Sequence, residues 1–246
     1  MSRVDYDRVA PRYDERYRLG GPAGVAEMLH RLAAGAERVL EVGCGTGHWL
    51  AALAPAVRHT IGLDRSLGML GKAKRNARCL AQGDAGLLPF RPATFGALYC
   101  VNAFHHFGAP RDFLAEAFRL LQPGGAVAVI GMDPNALRDR WYLYDFFPGT
   151  LETDRRRFPP SSQIEAWMRE VGFGDVEVGE AARITGEAEG RGIYDDPILS
   201  RTGTSQLTLL SDAEYDAGMA RLDAAAAAGA KFVTDIALAA VQARRP

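Results

Sequence analysis

Residues 37–50 read ERVLEVGCGTGHWL, and the fold is decided within them. "ERVLEV" (37–42) is a short apolar run ending at Gly43, and "GHWLAALA" (47–54) has the composition of a helix that Pro55 closes. Between them stand Gly43, Gly45 and Gly47. Glycine loses more backbone freedom on folding than any other residue, so three within five positions imply a main chain that something approaches closely. A strand feeding a glycine-rich turn into a helix is a general device for holding a nucleotide-like ligand at the carboxyl edge of a parallel sheet. The pattern here is E-x-G-x-G-x-G. The third glycine of the dinucleotide fingerprint G-x-G-x-x-G would fall at His48, which disfavours a nicotinamide dinucleotide.

Outward from this stretch the chain alternates strand and helix. "HTIGLD" (59–64), "RCLAQGD" (78–84), "FGALYCVNAF" (95–104) and "AVAVIGM" (126–132) read as strands. "SLGMLGKAKRN" (66–76) and "PRDFLAEAFRLL" (110–121) read as helices, and "LQPGG" as a turn. The alternation predicts a parallel sheet with helices on both faces. Ahead of it, Val4, Tyr6, Val9, Tyr13 and Tyr17 have helical spacing, the cluster "RLGGPAG" (18–24) makes a turn, and Pro22 opens a second helix. Beyond residue 133 comes an aromatic- and arginine-rich insertion, "DPNALRDRWYLYDFFPGTLETDRRRFPP". Ser162 and Glu165 have capping-box spacing for a following helix. "GFGDVEVGEA" reads as a sixth strand, "SDAEYDAGMARLDAAAAAGA" as a helix, and "KFVTDIALAAVQA" (231–243) as a seventh strand whose alanines also permit a helix.

Two acidic residues follow the glycine loop at the ends of successive strands. Asp64 lies 21 residues after Gly43, where a carboxylate can accept both hydroxyls of a ribose, or else cap the helix near Ser66. Asp84, beside the amide of Ala85, offers the acceptor–donor pair that an adenine edge requires, or else closes a strand-end turn.

Taken together, "VLEVGCGTG" (39–47), "IGLDRSLGML" (61–70), "QGDAGLLPF" (82–90), "GALYCVNAFHHF" (96–107) and "LQPGGAVAVIG" (121–131) resemble the class I S-adenosylmethionine-dependent methyltransferases, in the small-molecule branch. The resemblance implies a Rossmann-like α/β fold: a seven-stranded, mostly parallel sheet in the order 3-2-1-4-5-7-6 with helices on both faces. It implies S-adenosyl-L-methionine as cofactor and S-adenosyl-L-homocysteine as product. It places Gly43, Gly45 and Gly47 under the methionine portion, Glu41 near its ammonium, Asp64 on the ribose, and Asp84 with Ala85 on the adenine. Arg65 and Asn102 join that cofactor set. The leading segment "YDRVAPRYDERY" is similar to one that folds over the cofactor, with Tyr13 as the lid residue.

Methyl transfer is an in-line displacement at an activated carbon, so alignment and exclusion of water matter most, and a hydroxyl acceptor also benefits from a base. His105 and His106, after the fourth strand, are the catalytic candidates. No third ligand is spaced to make them a metal site. Trp141, Tyr144 and Arg157 are candidates for acceptor binding, within an aromatic wall of Trp141, Tyr142, Tyr144, Phe146 and Phe147 and an arginine run at 155–157. The expected organisation is one domain over 1–246: a helical lid (1–36), a cofactor core (37–132), and acceptor-binding insertions (133–160 and 183–230).

Bulk composition narrows the field. The chain has 246 residues, 48% hydrophobic and 24% charged, with net charge −1, so no basic field recruits nucleic acid. No apolar run is long enough to span a bilayer, and "MSRVDYDRVAPRYDERY" is too charged for a secretory signal. Three cysteines without C-x-x-C spacing suit a reduced, cytoplasmic protein. The expected partner is a small-molecule substrate, with neither nucleic acid nor membrane; the oligomeric state is open. The competing reading is a protein that binds S-adenosylmethionine without methylating, whether regulatory or using the sulfonium in another reaction.

Overall fold

A computed structural model describes residues 4–17, 21–136 and 139–246. The expected turn at 18–24 lies partly outside them. The decisive apolar run forms β1 (Arg38–Val42), buried from Val39 onward. Strand periodicity sends Leu40 and Val42 to one face and Val39 to the other, and both faces are covered. The sheet continues with β2 (His59–Asp64), β3 (Cys79–Gln82), β4 (Phe95–Val101) and β5 (Leu121–Met132). These five are parallel wherever they pair. They are followed by β6 (Arg140–Trp141), β7 (Gly174–Glu189) and β8 (Lys231–Arg244). The order is β3-β2-β1-β4-β5-β8-β7, and β8 runs antiparallel to β5, β6 and β7. The short β6 prolongs the line of β5 along one edge of β8, pairing Arg140 with Asp235 after Met132 has paired with Leu238.

On one face, Leu98, Cys100, Val127 and Val129 pack under the helix Pro110–Leu120 and the helix Ser161–Val171, through Phe113, Leu114, Ala117, Ile164 and Met168. On the other, Ala97, Tyr99, Ala128 and Ile130 meet the helix Ala23–Leu32 and the helix His48–Leu53, through Val25, Leu29, Trp49 and Leu53. A third cluster forms a cap: Tyr142, Leu143 and Phe147 pack with Leu199, Leu207, Leu222, Phe232 and Ile236. Most of the expected aromatic wall is therefore the interior of this cap.

Three local expectations are revised and one open choice, between strand and helix at 231–243, is resolved. The "LQPGG" segment is drawn into β5, because Gly124 donates to Arg245 and Arg245 to Gly125, with a register shift against β4 between Phe95 and Ala97. The helix 161–171 has no capping box: Pro160 occupies the cap position, and the Asp133 carboxylate accepts the Ser161 N–H at 2.8 Å. A complete capping box stands instead at Ser211 and Glu214, opening the helix Asp212–Ala227. Residues 183–189 belong to β7, not to an insertion. The alanine-rich 231–243 is strand throughout, since β5 and β7 satisfy its backbone from both sides and override helical propensity.

Candidate active site

The order in which strands are added reverses between β1 and β4: the neighbours on one side of β1 are β2 and β3, and on the other β4 and β5. The crevice at such a switch point is where open α/β sheets bind ligands. Here the loops after β1, β2, β3 and β4 surround a cleft of about 310 Å³, lined by Gly43, Gly45, Asp64, Arg65, Asp84, Ala85, Asn102 and His106 among others. The segment 4–17 closes over it.

The three glycines share positive φ (+73°, +53° and +79°) but differ in what they face. A Cβ on Gly43 would come within 2.5 Å of the Ala103 Cβ, so the tip of β4 excludes it. On Gly47 it would press on Asn76 and Ala73 at 3.2 and 3.4 Å. Only Gly45 looks into open space, with Tyr13 at 3.7 Å. Gly47 caps its helix and does not line the cleft.

Glu41 does not line it either. Its side chain is buried, at 1% exposure, and accepts the Tyr99 hydroxyl at 3.2 Å. Burial pushes its carboxyl well above the usual range, with only partial relief from Tyr99. Asp64 does face the cleft. It accepts from the Gly45 N–H at 2.8 Å and the Ser66 N–H at 2.9 Å, so it both fixes the loop and presents charge; burial raises its carboxyl despite those bonds. Ser66 caps the following helix, Leu67–Ala73, through Met69 N–H. Asp84 turns the chain by accepting from Gly86 N–H at 2.9 Å, with Ala85 beside it.

The lid is bound at both sides of the cleft. Asp7 accepts from Ser66 Oγ (2.6 Å) and Gly68 N–H (2.8 Å), and Asp14 accepts from Thr46 Oγ1 (2.5 Å). Tyr6 is hydrogen-bonded through its hydroxyl to His106 Nε2 at 2.5 Å. No local signal could have announced that contact, since it joins residues 100 apart.

Behind the junction lies a larger cavity of about 430 Å³. Tyr6, Tyr13, Asn102 and His106 line both spaces, so the two meet there. Asn102 takes a left-handed backbone (φ +50°), which costs a non-glycine residue strain and which asparagine tolerates better than most. The larger cavity is walled by Tyr17, Trp49, Met132, Trp141, Phe158, Ile198, Ile236 and Leu238. His105 also lines it, stacked on Phe158 at 3.7 Å. Burial, His106 and Arg157 together hold the His105 imidazole well below its usual range, hence neutral.

The acceptor candidates divide. Trp141 lines the cavity, whereas Tyr144 and Arg157 stand outside its wall. Both are tied to the buried Asp154: Tyr144 donates at 2.9 Å and Arg157 Nη1 at 3.3 Å, while Gln206 Nε2 donates at 2.6 Å. Sequence reasoning missed Tyr6, Phe158 and Gln206 as wall residues. Among the described residues no group of three His, Cys, Asp or Glu could hold a metal ion.

The cleft suits a sulfonium nucleoside in chemistry and shape. Asp64 and Asp84 offer acceptors at adjacent strand ends, apolar Leu63, Met69, Val101 and Phe107 line the remainder, and Gly45 leaves its backbone bare.

Comparison with known proteins agrees. Residues 40–129 match a family model described as a methyltransferase domain. Over 197 residues the chain is 30% identical to a demethylmenaquinone methyltransferase of Renibacterium salmoninarum, covering 70% of this chain and 83% of that one. It is 29% identical to a malonyl-acyl-carrier-protein O-methyltransferase of Pectobacterium atrosepticum, covering 65% and 64%. In fold it is similar to Haemonchus contortus phosphoethanolamine N-methyltransferase 2 in complex with S-adenosyl-L-methionine, with a TM-score of 0.62 at 19% identity, covering 99% of this chain and 60% of that one.

Proposed function

The chain belongs to the S-adenosylmethionine-dependent methyltransferases, and from that membership we propose that it methylates a small, largely aromatic molecule held in the larger cavity. One observation carries this reading: the cofactor cleft opens into an aromatic chamber across Tyr6, Tyr13, Asn102 and His106. When bound, S-adenosylmethionine would supply a methyl carbon activated by its sulfonium for in-line displacement.

The protein's own residues do the rest. Asp64 would hold the ribose hydroxyls, Asp84 and Ala85 the adenine, and Gly45 the methionine portion against bare backbone. Arg65 lines the same cleft. Tyr6 and Tyr13 cover the junction and keep water from it, which favours a displacement between aligned groups. His106, at the boundary of both spaces, is the residue positioned to take a proton from the acceptor. His105, stacked on Phe158, orients that corner. The cap built from residues 139–160 and 190–230 selects the acceptor, with Trp141 in its wall. No described helix is long and apolar enough to cross a membrane. The cysteines Cys44, Cys79 and Cys100 are free, which supports a reducing, cytoplasmic setting.

The test uses purified protein, methyl-labelled S-adenosylmethionine and a fractionated metabolite extract. Label carried into a small molecule supports the reading. Cofactor binding without transfer to any fraction supports the non-methylating alternative.

A further inference from the structure

The polar atoms around the acceptor chamber are unbalanced in one direction. Four buried side-chain polar atoms lack a hydrogen-bond partner among the described residues. One is an acceptor, Asp139 Oδ2, beside the β6–β8 edge where Asp139 Oδ1 takes the Ala237 N–H. The other three are all donors, two of them on the chamber wall and one behind it. Trp49 Nε1 and Trp141 Nε1 belong to wall residues, each 5% exposed. Arg157 Nη2 belongs to a side chain that is 10% exposed, one layer behind the wall. Its guanidinium lies 5.7 Å from the ring of Phe158, whose other neighbour is His105.

Charge points the same way. Among the described residues no carboxylate lines the chamber. Among the described residues the one charged wall residue other than histidine is Arg183, which Glu180 and Asp235 hold at 2.8 Å each. Arg157 reaches Asp154 through one nitrogen only, at 3.3 Å, because Tyr144 and Gln206 occupy the other carboxylate oxygen. A buried donor without a partner is costly, and a nearby cation favours an anion over a second cation.

We propose that the acceptor is an aromatic hydroxyl compound, recognised through an oxygen that ionises at the Tyr6–His106–Arg157 corner, and that arylalkyl amines, cationic at neutral pH, are discriminated against. The inference rests on the methyltransferase reading and names the acceptor class for it. The hydroxyl proton reaches His106 through Tyr6: the Tyr6 hydroxyl, bonded to His106 Nε2 at 2.5 Å, hands its proton to that nitrogen and takes the acceptor's, leaving an imidazolium and an oxyanion in the field of Arg157. An ammonium group would meet donors and a cation with no carboxylate to receive it.

The experiment is equilibrium binding to protein loaded with S-adenosylhomocysteine. The probes are 2-naphthol and 2-naphthylmethylamine, two rings of equal size that differ in the polar group. The expected result is about tenfold or greater preference for the naphthol, with a larger naphtholate absorbance band for bound than for free probe at the same pH. Arg157→Met should remove most of both effects, and Arg157→Lys, which keeps the charge, should restore them in part. If Arg157→Met does not fold, the ranking on the native protein still decides. Equal or tighter binding of the amine, no gain in naphtholate, or binding of neither probe would overturn the acceptor class while leaving the cofactor reading intact. Failure of S-adenosylhomocysteine itself to bind overturns the methyltransferase reading, and the acceptor class with it.

Discussion

Asp64 performs two tasks with one carboxylate, since it anchors the Gly45 and Ser66 amides and faces the cleft. Asp64→Ala should weaken S-adenosylhomocysteine binding by about 1–3 kcal/mol, read by calorimetry. Asp64→Asn, which retains an acceptor for one amide, should recover the loop but not the full affinity. His105 gives a pH prediction. Its folded pKa lies well below the ordinary 6.5, so the unfolded chain takes up a proton first as pH falls below that value. The stability contributed by a neutral His105 is complete above pH 6.5 and is lost as pH falls toward the folded value. The melting temperature of His105→Gln should therefore fall less than that of the native protein between pH 7 and 5.5. An equal fall in both would refute it. At this scale the sequence was legible where chemistry and chain position coincide, as at Asp64 and Asp84, each next to its own strand end. It was silent on the partner of Glu41, whose carboxylate turns under the loop to meet Tyr99, 58 residues away.

At the scale of elements, the cap is held by a polar junction. Asp154, fully buried, joins the helix Thr150–Arg157 to the helix Tyr142–Phe146 through Tyr144 and to the helix Ser205–Thr208 through Gln206. Removing one member of such a junction strands the other charge. Asp154→Leu should cost about 3–5 kcal/mol, measured by denaturant unfolding. The arginine run at 155–157 thus divides by helical geometry, with Arg157 turned inward and Arg156 outward. Periodicity marked the segment as a unit without saying which arginine is buried. The lid depends on Asp7, an exposed group whose carboxyl is held below its usual value by Ser66 and Gly68. Asp7→Ala should raise amide exchange across residues 4–17 while leaving the sheet protected. The two S-x-x-E patterns show the same limit: Ser211 caps a solvent-facing helix by itself, while Ser162 caps none, since the helix already begins at Ser161, whose N–H the carboxylate of Asp133, just past β5, accepts.

For the whole molecule, lid, cleft and chamber form one path through the switch point of the sheet. Binding only to the folded state should stabilise all of it: S-adenosylhomocysteine at about 100 times its Kd should add about 2.7 kcal/mol, a rise in Tm of about 5–10 °C for a domain of this size. No shift at saturation would contradict the placement of the cofactor. The sequence by itself determined the strand and helix alternation, the glycine turn and the acidic strand ends, because these follow from periodicity and spacing along a regular backbone, and its resemblance to known methyltransferases supplied the strand order and the family. Only the tertiary structure decided that Glu41 lies beneath the cleft, that most cap aromatics are core, that Tyr6 meets His106, and that the alanine-rich 231–243 is the strand its sequence suggests and not the helix its alanines also allow. Each of those is a contact between distant segments, whose energy depends on what burial brings alongside a residue rather than on its neighbours in the chain.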